Sequence, residues 1–223
     1  MSESSRLSNA RRVIILGAGI HGLAAAKTYL EIVPNIDLTI IDNDESVGGV
    51  WSSSRVHSNL MVDNASPSFE FSVLSMKKEF GVPDWTAIPG TIAHNYFQMY
   101  AEKHDIIRRC VFNTEVVSVE RDGEGWKVFT KGIGANVSAG QKTFVCDVLM
   151  IAVGHFSVPI IPAIDRSLFN GVTFHTKELA RRQNELVSDD IQTVVVIGGN
   201  KSAFEAVCIS YKAGKKVHWY VPL

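Results

Sequence analysis

The sequence predicts an α/β fold with two strand–turn–helix units in tandem. Three observations carry that expectation. A short apolar run over residues 13–16 leads directly into Gly17-Ala18-Gly19-Ile20-His21-Gly22. A second apolar run, residues 38–41, ends in an acid, Asp42. A further strand–turn–helix–strand series fills residues 193–220, with Gly198-Gly199-Asn200 at its turn.

Val13-Ile14-Ile15-Leu16 has no polar face, so it reads as a parallel strand buried on both sides. The glycine turn follows, and then a helix over residues 21–32, with Leu23, Ala24, Lys27 and Leu30 at helical spacing. Pro34 and Asn35 stop that helix. The strand over 38–41 completes a βαβ unit, whose crossover is expected to be right-handed. Residues 43–90 are rich in Ser, Asn, Gly and Pro and read as irregular. A segment that long without periodicity is usually functional or disordered. Its aromatics, Trp51, Phe69, Phe71, Phe80 and Trp85, favour function. A helix is predicted over 91–104, with Ile92, Tyr96, Met99 and Tyr100 on one side. Strands over 112–120 and 126–130 are joined by the turn Asp122-Gly123-Glu124-Gly125. A loop over 131–141 and one strand over 143–153 follow. Pro159 and Pro162 mark 154–162 as a crossing between domains. The second unit reads as strand 193–197, helix 202–213 and strand 216–220. A lone βαβ piece cannot cover both faces of its sheet, so this second domain is expected to be unfinished.

The chain has 223 residues and 46% hydrophobic content, enough for a sizeable core. A formal net charge of −1 argues against nucleic acid as the main partner, because phosphate binding needs clustered positive charge. Cys110, Cys146 and Cys208 are far apart and lack metal-ligand spacing, which argues against a zinc site or a disulfide framework. Residues 1–12 are polar and end in two arginines, unlike a signal peptide. No later run is long and apolar enough to span a bilayer. A reduced, cytoplasmic location is the expectation.

The first glycine turn has the context of a dinucleotide site. It follows a strand, opens a helix, and precedes an acid 20 residues beyond Gly22. Gly17 permits the tight turn, Gly19 lets backbone approach a diphosphate, and Gly22 lets helix and strand pack closely. The helix start offers free N–H groups and partial positive charge to phosphates. Asp42 stands where a carboxylate can accept from ribose hydroxyls.

The residues that follow are Asp42-Asn43-Asp44-Glu45-Ser46-Val47-Gly48-Gly49-Val50-Trp51. They resemble the acid-to-GGxW pattern of two-dinucleotide-binding-domain flavoproteins. Phe169-Asn170-Gly171-Val172-Thr173-Phe174-His175 fits an FxGxxxH fingerprint lying between the two glycine motifs. Leu149-Met150-Ile151-Ala152-Val153-Gly154 is similar to the ATG segment, with Val153 where Thr is usual. Asn113-Thr114-Glu115-Val116 is similar to the strand whose valine meets the adenine side of FAD. Val196-Ile197-Gly198-Gly199-Asn200-Lys201-Ser202-Ala203 is similar to the NADPH-binding turn. In this order the motifs resemble the class B flavin monooxygenases, which comprise the flavin-containing and Baeyer–Villiger monooxygenases. The resemblance covers nearly all of the chain after Arg12.

That resemblance implies a Rossmann-like FAD domain over residues 1–160, without its return segment, and the first part of an NADPH domain over 161–223. It implies FAD held by Gly17, Gly19, Gly22, Asp42, Gly49, Trp51, Val116 and Gly154, and NADPH held by Gly198, Asn200 and Ser202. It makes His175 an organiser of the domain link; a satisfied structural histidine is the alternative. NADPH would reduce the flavin, and a flavin peroxide adduct would oxygenate a small organic substrate. A tailoring role such as secondary metabolism fits the family's range. A disulfide reductase needs a cysteine pair after the first βαβ unit, and no cysteine precedes Cys110.

The sequence departs from the family at several points. Asn200 replaces the second glycine of the NADPH turn, where a side chain would crowd a diphosphate; Asn tolerates left-handed dihedrals, and its amide can donate. No acid follows the last strand, which favours NADP over NAD. Lys201 is a candidate phosphate contact or a solvated lysine. Leu179 matches neither subclass. Asp63 falls where the Baeyer–Villiger enzymes place an aspartate, which makes it the candidate catalytic residue, with a surface acid as the alternative. The chain is shorter than the family's members and reads as truncated. A non-catalytic FAD-binding remnant and an uncoupled NADPH oxidase or flavin reductase therefore stand beside the monooxygenase reading. An unfinished sheet edge also invites a second copy as partner.

Overall fold

Alternation along the first strand sets the layers. In the computed structural model, which describes residues 12–33 and 35–221, β1 (Arg12–Leu16) sends Val13 and Ile15 into one apolar cluster and Ile14 and Leu16 into another. The polar N-terminal residues and Pro34, read above as a helix stop, lie outside the described residues, as do Pro222 and Leu223.

Strand β1 pairs in parallel with β2 (Asp37–Ile41), and α1 (Ile20–Ile32) crosses between them, burying Gly22, Leu23 and Ala26. Residues 43–90 depart from the expectation of an irregular segment. A hairpin of β3 (Met61–Ala65), the short helix α2 (Met76–Phe80) and β4 (Ala87–Pro89) orders them. The helix α3 (Gly90–Lys103) follows at once and buries Tyr96, Phe97 and Tyr100 against Phe69 and Phe71. Trp51, Phe69, Phe71 and Phe80 thus pack on a core that polar composition concealed, while Trp85 is exposed.

The short strand β5 (Cys110–Val111) joins the parallel sheet beside β2. An antiparallel sheet of β6 (Thr114–Asp122), β7 (Gly125–Gly132) and β8 (Gln141–Cys146) then covers the face opposite the helices, with Val128 and Cys146 meeting Ile14, Leu16 and Ile41. The single strand expected over 143–153 is two. After β8 the chain turns at Asp147 and re-enters the parallel sheet as β9 (Val148–Ile151), on the free side of β1. Asp147 fixes that turn by accepting from the Arg12 backbone N–H at 2.9 Å. The parallel sheet has the order β5–β2–β1–β9.

Residues 152–175 contain no helix or strand, and Phe156, Val158, Ile160 and Leu168 are exposed along them. A third apolar cluster begins at α4 (Leu179–Val187), a nine-residue helix that was not among the elements expected above. It packs with β10 (Thr193–Ile197), α5 (Lys201–Lys212) and β11 (Lys216–Tyr220); β10 and β11 pair in parallel. Val194 and Val196 face the helices, while Val195 and Ile197 are exposed on the other face. Among the described residues, no helix is long and apolar enough to cross a membrane.

Candidate dinucleotide sites

Both glycine turns are built in the same way. At the end of the first strand of each unit, the turn's leading glycine donates its N–H to the last residue of the second strand. Gly17 donates to Ile41 O at 2.8 Å, and Gly198 donates to Tyr220 O at 2.9 Å. This bond ties each turn to the C-terminal edge of its parallel pair, where ligands of such sheets bind.

Within the first turn the three glycines have different reasons. Gly17 has φ +103°, and an added Cβ would lie 2.4 Å from Ala152 O. At Gly22 a Cβ would lie 1.9 Å from Gly17 O, so the helix sits directly on the turn. Gly19 is different: its backbone is extended (φ −77°, ψ −174°), and a Cβ would make only ordinary contact with Gly49, at 3.6 Å to Cα and 4.0 Å to N. Protein packing does not demand glycine there. The space beside it is open, as a cradle for a diphosphate requires. Helix α1 has no side-chain cap and no acid in its first turn, so its leading N–H groups face that space without a competing carboxylate.

Gly48 and Gly49 form the opposite wall. Gly48 N–H donates to Ala18 O at 3.0 Å, and a Cβ on Gly49 would approach Gly19 Cα to 3.1 Å. Trp51 is half-buried beyond them, edge-on to Phe69 at 5.7 Å between centroids, with His94 Nδ1 3.0 Å from its carbonyl oxygen. Asp42 is only 8% exposed. Its oxygens accept from Ala18 N–H at 2.6 Å and Asp44 N–H at 2.7 Å. Burial pushes its carboxyl above the usual aspartate range, against the pull of those two N–H groups. Each oxygen keeps a second lone pair for a ribose hydroxyl.

Val116 lies just beyond Thr114, whose N–H donates to Asp42 O at 3.0 Å. The Val116 side chain packs against the cluster under the sheet, so any adenine contact there falls to backbone or edge atoms. Gly154 follows Ala152, the residue whose carbonyl closes on Gly17, and an added Cβ at Gly154 would meet nothing within 4 Å. These residues converge on one end of the parallel sheet.

At the second turn, Asn200 does not take the left-handed backbone that its glycine-like position suggested. It is extended (φ −106°, ψ 178°), like Gly19, so no glycine is required on dihedral grounds. Its Oδ1 accepts from Lys201 N–H at 2.8 Å, which occupies one N–H that a phosphate would use. Ser202 is exposed on the first turn of α5. Ala203 stands where the first unit has Gly22, with its Cβ 3.3 Å from a Cβ built on Gly198.

Three further residues find places. His175 Nδ1 accepts from Lys177 N–H at 3.1 Å while its own N–H donates to Glu178 at 3.3 Å, a reciprocal cap on the turn that opens α4. Leu179 is buried in the cluster of the second unit, which explains an apolar residue there. Asp63 does not lie among the first-turn residues. It is exposed on β3 and accepts from Lys201 Nζ at 2.7 Å. Sequence reasoning missed His57 and Glu205, which meet at 3.5 Å beside that pair. Nothing in their spacing signals the contact.

Comparison with known proteins places this geometry. A family model described as flavin-binding monooxygenase-like matches residues 10–218. The chain is 38% identical over 216 residues to the FAD-dependent monooxygenase resA of Aspergillus sclerotiorum, covering 94% of this chain and 36% of that one. It is 34% identical to the FAD-dependent monooxygenase DEP4 of Alternaria brassicicola, covering 93% and 34%. It thus spans about a third of the length of these curated relatives. Among solved structures, Tmm from Pelagibacter sp. strain HTCC7211 superposes with a TM-score of 0.79 at 23% identity, covering 94% of this chain and 51% of that one. An oxidized steroid monooxygenase bound to NADP gives 0.71 at 23% identity, covering 94% and 38%. At these identities the superpositions establish the fold, which is the predicted α/β fold of two dinucleotide-binding units.

Proposed function

The chain belongs to the flavin-binding monooxygenase-like family, and from that premise we propose that it carries the FAD site and the opening of the NADPH site of an oxygen-inserting enzyme. The observation that supports this most is the open space at Gly19, walled by Gly49 and the start of α1 and closed beneath by Gly17 and Gly22. FAD, reduced by NADPH, would supply the oxygen-activating chemistry for a small organic substrate. In that role Gly17, Gly19 and Gly22 admit the diphosphate, the start of α1 holds its charge, and Asp42 takes the ribose. Gly49, Trp51, Val116 and Gly154 surround the remaining edges. Gly198, Asn200 and Ser202 would receive NADPH, with His175 fixing the chain between the two units. We assign residues 1–160 to the FAD domain and 161–223 to the NADPH domain. A cytoplasmic location and a tailoring role on a small molecule belong to the same proposal.

A second reading, an FAD-binding unit without turnover, draws on Asn200, whose side chain competes for a phosphate-binding N–H. Purified protein separates the readings. Flavin absorbance that NADPH bleaches under anaerobic conditions, followed by substrate oxygenation in air, supports the proposal. Bleaching followed only by stoichiometric hydrogen peroxide points to an uncoupled oxidase. Flavin that NADPH leaves oxidised points to the non-catalytic unit. Absence of flavin after reconstitution overturns the assignment of the first turn.

A further inference from the structure

The second glycine turn opens α5, and the first turn of that helix is held by residues of the other unit. Lys201 and Glu205 lie one helical turn apart and share a face. That face meets the 55–63 segment that leads into β3. Lys201 Nζ donates to Asp63 Oδ1 at 2.7 Å and lies 3.2 Å from Glu205 Oε1. Glu205 Oε2 lies 3.5 Å from His57 Nε2. The inner pair is secluded, with side-chain exposures of 3% for His57 and 11% for Glu205. His57 Nδ1 has no hydrogen-bond partner among the described residues. Burial acts to raise the Glu205 carboxyl, but His57 and Lys201 outweigh it and hold Glu205 below its ordinary range.

We propose that Glu205, His57, Lys201 and Asp63 form a latch that docks the second glycine turn on the first unit and sets where the N–H groups of α5 point. Asp63 is then a positioning residue, not a proton donor to a substrate, and Lys201 is a docking cation more than a phosphate ligand. Acid and base alternate along the chain Asp63–Lys201–Glu205–His57, so the Lys201 cation lies between two carboxylates and the Glu205 carboxylate lies between Lys201 and the His57 imidazole. Buried pairs of this kind add little net stability but strongly disfavour arrangements that separate them, which is what fixing an orientation requires. The docking itself stands on these contacts alone. Its effect on coenzyme affinity rests on the NADPH reading above.

The test uses the full chain loaded with FAD. Backbone hydrogen exchange is compared in the wild type, Glu205→Gln and Asp63→Asn, and NADP+ is titrated into each by the change in flavin absorbance. Glu205→Gln is expected to raise exchange roughly tenfold in 55–63 and 198–206, with β1 and β2 unchanged. Asp63→Asn, at an exposed position, should raise exchange in 198–206 about twofold to threefold. NADP+ affinity should fall roughly tenfold in Glu205→Gln while flavin content is unchanged, and Glu205→Asp should restore part of it. Unchanged exchange in both segments overturns the latch. If Glu205→Gln fails to fold, unchanged exchange of 198–206 in Asp63→Asn overturns it. Raised exchange with equal NADP+ affinity in wild type and variant overturns the positioning role. Raised exchange in a chain whose wild type binds no NADP+ leaves the latch standing and removes the NADPH reading instead.

Discussion

Gly17 and Gly19 stand two residues apart, and their backbones impose different demands. Gly17→Ala places a methyl against Ala152 O in a left-handed backbone, so it is expected to cost about 1–3 kcal/mol from the dihedral alone. Thermal unfolding without flavin should show that loss. Gly19→Ala has an extended backbone and no tight internal contact, so its apoprotein should melt within about 1 °C of the wild type. Its methyl would project into the proposed diphosphate cradle, so flavin content after reconstitution should fall to near zero. A Gly19→Ala protein that keeps its flavin would refute the cradle. Asp42 makes a third residue-scale prediction. Its folded carboxyl ionises at higher pH than the unfolded one because it is buried. The unfolded chain therefore loses its proton first, and apoprotein stability falls as pH rises from the ordinary aspartate value through the folded one. In Asp42→Asn that segment of the pH profile should be absent, read as the difference from wild type so that opposing groups such as Glu205 cancel. FAD affinity should drop about tenfold to a hundredfold with the ribose acceptor weakened.

The elements that sequence revealed are those whose own residues carry the pattern. β1, α1, β2, β10, α5 and β11 have apolar runs or helical spacing beside glycine turns, and all six formed where expected. The hairpin and helix inside 43–90 were hidden because their order comes from partners distant in sequence. Tyr96 in α3 is the clearest case. Its hydroxyl accepts from Phe71 N–H at 2.6 Å and donates to Leu74 O at 2.8 Å, in full burial. Burial raises its phenol to about 12, so it stays a donor throughout the working pH range. Tyr96→Phe leaves the buried Leu74 carbonyl and the part-buried Phe71 N–H without this partner and should cost about 1–3 kcal/mol. At this chain length that is a fall of about 2–4 °C in Tm per kcal/mol, with faster amide exchange over residues 66–75. Of the candidate site, the first turn, Asp42 and the Gly48-Gly49 wall were legible because residue type and spacing mark them, although the contacts that complete them, such as Gly17 with Ala152 and Gly48 with Ala18, are distant in sequence. The His57–Glu205 contact was not, because it is a property of how two units meet.

At the scale of the whole molecule, the two apolar clusters of the first unit are joined to the cluster of the second by residues 152–175, which form no helix or strand. Limited trypsin digestion should therefore cut first after Arg166, whose surroundings are exposed. A first cut inside α3 or β7 would contradict the division into two units. The β1 contact with β9 has a separate bearing on how the protein comes into being. The Arg12 N–H reaches a carboxylate 135 residues further along, and Ala152 supplies the floor under Gly17. The proposed phosphate cradle, though its signature lies near the N-terminus, has no floor until that distant strand has left the ribosome and paired. If flavin binds there as proposed, it would not guide early steps of folding but would enter a nearly finished protein. A nascent chain halted before residue 141 should capture none, whereas one released through residue 175 should fill with cofactor.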